Sequence, residues 1–377
     1  MVADQLKRPH LFISPHSFFA GLFALLTLLA TVLFISHRLT CSGSGDCSDP
    51  RPATGIVWNE IEQLHDLPGS PDSPSRTTAI IRRLKEQDLW RQLGQIPPRA
   101  ATRQELEYVH SREYVDRVER WARGGTQPLS REKYAPYFSP VVFDAAKSAA
   151  GSLIDLSLAV ASGRFKNGFA IIRPPGHHAG RDFAKGYCIF NNVAIATEAL
   201  FRERHFKRIA IVDFDAHHGN GTDAIFHSDS RVLYISMHEK DFWPYSGNEI
   251  GGEKGGRDGS VINIPMPVTA GDPMYFEAMQ KTVIPAVVAF QPELIFVSAG
   301  YDGHWTDYMA SLGITLSGFA QISRQLVRVA EDVSGGKIVF ALEGGYDREA
   351  LAYGATNSIK ALLGRNDFLD PIGPPSF

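Results

Sequence analysis

Cysteine is scarce in this chain of 377 residues, which contains only Cys41, Cys47 and Cys188. These residues form no Cys-x-x-Cys pair, so neither a disulfide framework nor a cysteine-based structural zinc site is indicated. Cys41 and Cys47 lie in a stretch rich in serine and glycine, where they could pair in an oxidising compartment. In a reducing compartment they would be free thiols.

An excess of charge of one sign is also missing. The chain has 38 Lys and Arg residues against 41 Asp and Glu residues, a formal net charge of −3. It has no long basic run and no internal repeat. Direct nucleic-acid binding is therefore disfavoured, because it needs a surface dense in Lys and Arg.

One long segment contains no charged residue at all. Residues 17–36 read SFFAGLFALLTLLATVLFIS and are apolar all round. About 20 such residues span a bilayer as a helix, so we expect a single-pass transmembrane helix or signal anchor here. Lys7 and Arg8 precede it and Arg38 follows, which favours a cytoplasmic N-terminus. A cleaved signal peptide and an organelle-targeting signal are the alternatives.

Composition divides the rest of the chain into two tails, a linker and one globular domain. Residues 1–16 form an N-terminal tail, and residues 37–53 are small and polar, as is typical of a linker. Residues 54–365 are long enough and apolar enough for one large globular domain. Residues 366–377 are rich in proline, and we expect this C-terminal tail to be loosely held.

Strand-like apolar segments alternate with helical periodicity throughout the predicted domain. Such alternation predicts an α/β fold, with a mostly parallel central sheet covered by helices on both faces. Strands are predicted at residues 55–58, 168–173, 209–213, 232–236, 261–264, 294–298 and 338–342. Helices are predicted at residues 75–93, 101–121, 140–161, 191–202, 222–226, 272–290, 318–333 and 348–363.

The stretch VDFDAHHGNGT (212–222) is unusually rich in carboxylates and imidazoles. It continues an apolar strand, and ligands of open α/β sheets bind where strands end. Residues two apart in an extended segment point to the same side, so Asp213, Asp215 and His217 can converge. A carboxylate and an imidazole suit zinc, but a third protein ligand must come from elsewhere in the chain.

Two further segments follow predicted strands. RPPGHH (173–178) is stiffened by prolines, and its tandem histidines His177 and His178 are well placed for proton transfer near neutral pH. Two surface histidines are the alternative. In SAGYDG (298–303), Asp302 is a candidate third metal ligand or, alternatively, an ordinary turn residue.

Two more segments combine glycine with tyrosine. In GYCIFNN (186–192), Tyr187 could form the wall of a narrow pocket, or be a core aromatic residue before a helix N-cap at Asn191 or Asn192. In LEGGYD (342–347), the paired glycines allow close backbone approach, and Tyr346 could donate a hydrogen bond to a substrate carbonyl. A surface tyrosine on a turn is the alternative.

Together these motifs resemble the zinc-dependent histone deacetylase family, and they are most similar to its class II and bacterial deacetylase-like members. The resemblance covers residues 54–364. It implies the three-layer α/β/α arginase-deacetylase fold and hydrolysis of acetyl-lysine in proteins. The matching stretches are RPPGHHA (173–179), GYCIFNNVA (186–194), VDFDAHHGNGT (212–222), SAGYD (298–302) and LEGGY (342–346).

The resemblance also implies a division of labour among the site residues. One zinc ion would be held by Asp215, His217 and Asp302, with coordination left open for water and substrate. His178 would be the general base, and His177 a general acid or electrostatic partner.

Further residues take supporting roles in the family. Asp213 would hydrogen-bond His177, and Asn220 would face His178, as in class II members. Tyr346 would stabilise the tetrahedral oxyanion. Potassium is implied beside zinc, on Asp213, Ser236 and main-chain oxygens of Asp215 and His217. Substrate contacts are implied for Gly186, through its carbonyl, and for the aromatic pair Tyr187 and Trp243.

The sequence departs from the family in its rim. Residues 70–74 read SPDSP where many members have His-Pro-Glu, and residues 131–140 contain no Asp of the kind that grips the substrate backbone. Met309 stands near the place where polyamine-specific members carry an acidic residue. These departures put the binding of long peptides in question.

Three alternative functions follow. The first is a deacetylase of small acetylated amines or polyamines. The second is an inactive acetyl-lysine-binding protein, which the complete set of metal and proton-transfer residues disfavours. The third is an arginase-like hydrolase with two metals, which needs an Asp where Gly219 stands.

Overall fold

The computed structural model describes residues 54–125, 127–129, 134–249 and 261–375. The predicted tail, membrane helix and linker within residues 1–53 lie outside the described residues, as do Cys41 and Cys47. Among the helices of the described part, none is long and apolar enough to cross a membrane. The described residues belong to a compact unit that runs from Arg51 to Phe377.

Eight strands, all paired in parallel, form the central sheet in the order β2-β1-β5-β10-β9-β6-β7-β8. They are β1 (Gly55–Val57), β2 (Gly94–Gln95), β5 (Gly168–Ala170), β6 (Ile209–Asp213), β7 (Val232–Glu239), β8 (Val261–Met266), β9 (Leu294–Ala299) and β10 (Ile338–Leu342). A separate antiparallel pair consists of β3 (Gln127–Pro128) and β4 (Tyr137–Phe138). The predicted parallel sheet is confirmed.

Ten α-helices accompany these strands in the described residues. They are α1 (Ser75–Glu86), α2 (Arg103–Leu106), α3 (Arg112–Ala122), α4 (Val142–Ala161), α5 (Asn192–Arg204), α6 (Asn220–Phe226), α7 (Asp272–Ala278), α8 (Ile284–Phe290), α9 (Leu316–Ser334) and α10 (Arg348–Leu362). Short 3₁₀ turns lie at Glu60–Leu64 and Trp90–Gln92.

Alternate residues of each strand enter two different cores. In β6, Ile209 and Ile211 pack with α4 and α5, whereas Ala210 and Val212 pack with α1, α9 and α10 on the other face. Since successive side chains of a strand point to opposite faces, this division shows that helices cover both sides of the sheet.

The structure corrects several predicted boundaries. The helix predicted at 75–93 ends at Glu86, because Asp88 adopts a left-handed backbone (φ 52°) that no helix continues. The helix predicted at 101–121 is two helices, the second capped by the side chain of Ser111. The helix predicted at 272–290 contains a π turn at Met279–Val283, just before Pro285, whose missing N–H breaks the regular ladder.

The C-terminal tail is held more firmly than expected. The Asn357 side chain donates to the carbonyl of Leu369 at 2.8 Å, and Trp305 Nε1 donates to the carbonyl of Gly373 at 2.8 Å. The expectation of a loosely held tail was therefore wrong for the described residues up to 375.

Five neighbouring strands end at one edge of the sheet, and four of them, all except β7, lead into the sequence motifs. They are β5, β10, β9, β6 and β7. The register places Asp213 of β6 beside Ser298 of β9 and Ser236 of β7. Segments far apart in sequence thus converge at the carboxyl end of the sheet, where ligands of parallel sheets bind.

Candidate active site

Two carboxylates and one imidazole meet at this edge. Asp215, His217 and Asp302 are all buried, and their ligand atoms lie within 4.8 Å of one another. His217 Nδ1 lies 3.2 Å from Asp215 Oδ1 and 3.1 Å from Asp302 Oδ2. The structure thus brings together the three residues that the sequence suggested as metal ligands.

The backbone around this triad leaves no room for larger side chains. A Cβ on Gly300 would lie 2.0 Å from Asp215 Oδ2, and one on Gly344 would lie 2.2 Å from Asp302 Oδ2. The N–H of Gly344 donates to Asp215 Oδ2 at 2.7 Å, and the N–H of Ala216 donates to Asp302 Oδ1 at 2.9 Å. These contacts orient both carboxylates toward His217.

The electrostatics of the triad favour a bound cation. Burial and the charge of Asp215 raise the pKa of Asp302, since two buried carboxylates repel each other. Burial opposes a charge on His217, yet Asp302 and Asp215 raise the pKa of its imidazole well above its usual value. These three residues would hold a divalent metal, which would supply the compensating positive charge, and two carboxylates with one imidazole suit zinc.

His177 belongs to a buried charge network behind the triad. Its Nδ1 lies 3.0 Å from Asp213 Oδ2, and the Tyr234 hydroxyl donates to the same oxygen at 2.9 Å. Burial disfavours the imidazolium, but Asp215 and Asp213 raise the pKa of His177 to about 10. These carboxylates therefore favour the protonated form of His177.

His178 has the opposite electrostatic character. Burial, and then the positive charge of His177, hold the pKa of His178 well below its usual value. Its Nδ1 lies 2.8 Å from the side-chain oxygen of Asn220, a neutral partner. Its ring centroid lies 6.1 Å from that of His217. His178 is therefore a neutral imidazole next to the triad, the state that a general base requires.

Tyr346 lies in the loop after β10. Asp307 Oδ2 accepts hydrogen bonds from the N–H groups of Tyr346, at 2.6 Å, and Asp347, at 2.8 Å. The Arg76 guanidinium lies 4.9 Å from the centre of the Tyr346 ring. Burial raises the pKa of the phenol well above its usual value, so its hydroxyl remains a hydrogen-bond donor.

The proposed substrate-contacting residues lie at the mouth of the site. Gly186 has a left-handed backbone (φ 55°), and a Cβ there would lie 2.2 Å from the His178 ring and 2.6 Å from the Trp243 ring. Trp243 also packs 5.7 Å from the His217 ring, and Tyr187 packs 5.8 Å from the Tyr346 ring. Tyr187 thus packs beside Tyr346, and the helix that follows it is capped by Asn191.

The comparisons with known proteins agree with this geometry. The model of the histone deacetylase domain matches residues 70–362. A probable deacetylase of Archaeoglobus fulgidus is 38% identical over 82% of this chain and 86% of its own length. The chain belongs to the histone deacetylase family.

Longer relatives and a solved structure extend the comparison. Histone deacetylase 15 of Arabidopsis thaliana and a polyamine deacetylase of Homo sapiens are each 36% identical, over 85% and 86% of this chain. The chain spans 59% and 48% of these two relatives. The crystal structure of the HDA15 HD domain has a TM-score of 0.77 and 34% identity, covering 85% of this chain and 90% of that one.

One residue that no sequence motif indicated ties the entry loop of this deacetylase domain to its site. Asp72 is fully buried, and its Oδ1 pairs with Arg76 at 2.8 Å and with Arg173 at 3.0 Å. Arg76 Nε in turn donates to the carbonyl of Gly345 at 2.7 Å, beside Tyr346. The acidic residue inside the SPDSP segment was a usable signal, since an Asp between prolines and an Arg four residues later suggests an ion pair.

Proposed function

We propose that this chain is a zinc-dependent amidohydrolase that removes acetyl groups from lysine side chains of proteins. The observation that carries the proposal is the convergence of a buried metal triad, a neutral histidine and a protonated tyrosine at one edge of the sheet. Metal-assisted hydrolysis of an amide uses all three groups, to activate water, to accept its proton and to stabilise the oxyanion.

Asp215, His217 and Asp302 would hold the metal. When bound, zinc would polarise the acetyl carbonyl and lower the pKa of water. Potassium is a second proposed ion. Asp213 and Ser236, which face each other across neighbouring strands, support it together with the main-chain oxygens of Asp215 and His217.

His178 is the proposed general base. It is neutral because it is buried and lies beside the positively charged His177, with a ring separation of 4.0 Å. It takes a proton from the attacking water, and Asn220 orients its ring through Nδ1. Either His178, once protonated, or His177 then donates a proton to the leaving amine, which departs as the neutral amine.

Tyr346 is the proposed oxyanion donor. Its phenol is protonated, and Asp307 and Arg76 hold its loop and ring. The Gly186 carbonyl would accept the substrate N–H, and the Tyr187 and Trp243 rings would line the path of the acylated amine. Donors placed where charge develops stabilise the transition state more than the ground state.

Hydrolysis of small acetylated amines is the second candidate. The described segment 134–140 contains no Asp, so no carboxylate there can grip a peptide backbone. One relative bears the name polyamine deacetylase. Met309, however, packs beside Tyr187 and Tyr346 and carries no charge to recognise a polyamine.

The test is turnover of the full chain, purified in mild detergent, on three substrates: an acetyl-lysine peptide, free acetyl-lysine and an acetylated polyamine. We expect hydrolysis of the peptide that a chelator abolishes, that zinc restores and that His178→Ala lacks. Preference for the two small substrates would assign the chain to metabolite deacetylation. Absence of turnover above the His178→Ala control would refute the proposed activity.

We also propose that residues 17–36 anchor the protein in a membrane as a single-pass helix. The support is the sequence alone, a run of uncharged residues of membrane-spanning length. Removal of this segment as a signal peptide and targeting to an organelle are the competing outcomes.

A further inference from the structure

We propose that Tyr134 determines substrate specificity, because its ring occupies the mouth of the channel through which the acylated amine must pass. The inference rests on the proposed function, which places Tyr187 and Trp243 on either side of that amine. It adds a residue that no motif of the sequence indicated and predicts which ligands the site admits.

The ring of Tyr134 contacts both walls of the channel. Its centre lies 6.4 Å from the Tyr187 ring and 5.2 Å from the Trp243 ring, both in edge-to-face geometry. It also lies 6.2 Å from the ring of His217, one of the proposed metal ligands. This one ring reaches both walls and the imidazole at the base of the channel. It therefore lies on the route from the mouth of the channel to the proposed metal site.

Its surroundings stabilise this position. Tyr134 packs against the apolar cluster of Tyr187, Met309 and Tyr346. Edge-to-face contacts are the arrangement that aromatic rings prefer. The segment that follows is held by β4, whose Tyr137 hydroxyl donates to the main chain at His65 and Asp72. The backbone of Tyr134 is left-handed (φ 71°), which is uncommon for a bulky residue. A residue keeps such a conformation only where the surrounding structure holds it.

The chemistry of this position matters because the family resemblance leads one to expect a rim carboxylate in the same segment. A carboxylate would grip the main chain of a peptide. An aromatic ring instead takes up volume and offers an apolar surface. A long acylated stem must therefore displace the Tyr134 ring, whereas a ligand that ends below the mouth leaves it in place.

Removal of the Tyr134 ring should therefore raise the affinity for long-stemmed ligands and leave the affinity for short ligands unchanged. The probes are acetohydroxamate, which is short, and an N-octanoyl hydroxamate, which has a long alkyl stem, with affinities measured by calorimetry on the zinc-loaded full chain. In Tyr134→Asn we expect the Kd of the long probe to fall by about tenfold, as it would if the wild-type channel were open about a tenth of the time. The Kd of acetohydroxamate should stay within about twofold.

Two variants serve as matched controls. Tyr134→Phe retains the ring and should behave as wild type. Tyr245→Asn removes another tyrosine with a left-handed backbone (φ 63°), which is 74% exposed on the Trp243 loop, and should leave both affinities unchanged. Asn tolerates a left-handed backbone, and circular dichroism would verify that each variant is folded.

An unchanged or weaker affinity of the long probe for Tyr134→Asn would overturn the inference, because Tyr134 would then be a wall that supports the stem. Loss of binding of both probes to all proteins would refute the zinc site instead. In that case the inference about Tyr134 is tested in metal-free protein labelled with 5-fluorotryptophan. The measurement is the solvent exposure of the ¹⁹F signal of Trp243, which is assigned with Trp243→Phe. Greater solvent exposure of Trp243 in Tyr134→Asn supports the contact, and equal exposure overturns it.

Discussion

Tyr346 is the residue whose hydroxyl has the most specific task in the proposed reaction. Its phenol is kept protonated by burial, and the loop that carries it is fixed by Asp307. Tyr346→Phe removes the donor and retains the ring, so turnover should fall by about 10²–10³-fold. Binding of acetohydroxamate should persist, and turnover close to wild type would contradict the role.

Asn220 is the hydrogen-bond partner of His178. It is a neutral partner 2.8 Å from Nδ1, and the pKa of His178 lies well below its usual value because of burial and His177. Asn220→Asp places a carboxylate there and should raise that pKa by about one to three units. A base with a raised pKa is protonated over a wider acidic range. The acid limb of the pH profile of kcat/KM should therefore move to higher pH.

The pH profile from pH 5 to 9 is the measurement, with Asn220→Ala as the control that adds no charge. Activity of Asn220→Asp should be reduced most near pH 6 and least near pH 9. An acid limb at the wild-type position would show that another group controls it.

At the scale of elements, Asp72 joins the entry loop, helix α1 and the loop after β5. Burial opposes its ionisation, but Arg173 and Arg76 lower the pKa of Asp72 to about 2. Its carboxylate thus compensates two buried guanidinium groups. Such a pair is costly to break, because the remaining charges stay buried without their partner.

Asp72→Asn should lower the free energy of unfolding by about 3–5 kcal/mol, as measured by denaturant titration. Asp66→Asn, an exposed residue in the same loop, is the control and should have little effect. Because the folded pKa of Asp72 lies below its unfolded value, the stabilisation is present above pH 4 and is lost as the pH falls toward 2. The free energies of unfolding of wild type and Asp72→Asn should accordingly differ less at pH 3 than at pH 7.

At the scale of the whole molecule, the uncharged segment 17–36 is the proposed membrane anchor. Residues of this kind partition into a bilayer, whereas the described domain has no helix able to cross one. The full chain should fractionate with membranes and resist extraction by carbonate. A version lacking residues 1–53 should be released into the soluble fraction. Recovery of full-length, uncleaved protein in the soluble fraction would contradict the anchor.

Much of the fold was predictable from local pattern. Strands such as β6 and β10 are short apolar runs, and the sequence bounds them correctly at Ile209–Asp213 and Ile338–Leu342. The two-residue strand β2 was not predicted, because Gly94 and Gln95 have no periodicity and pair only once β1 is in place. The π turn that interrupts the helix predicted at 272–290 was also not predicted. It lies just before Pro285.

The sequence by itself indicated the candidate site residues, because each motif is local and most of the motifs follow the end of an apolar strand. Tertiary structure alone decided their neighbours. Asp72 reaches Arg173 across 101 residues of chain, and Tyr134 meets Trp243 and His217 only because the folded sheet brings their loops together. Such contacts leave no trace in local periodicity, since they depend on strand order and on the packing of loops at one edge of the sheet.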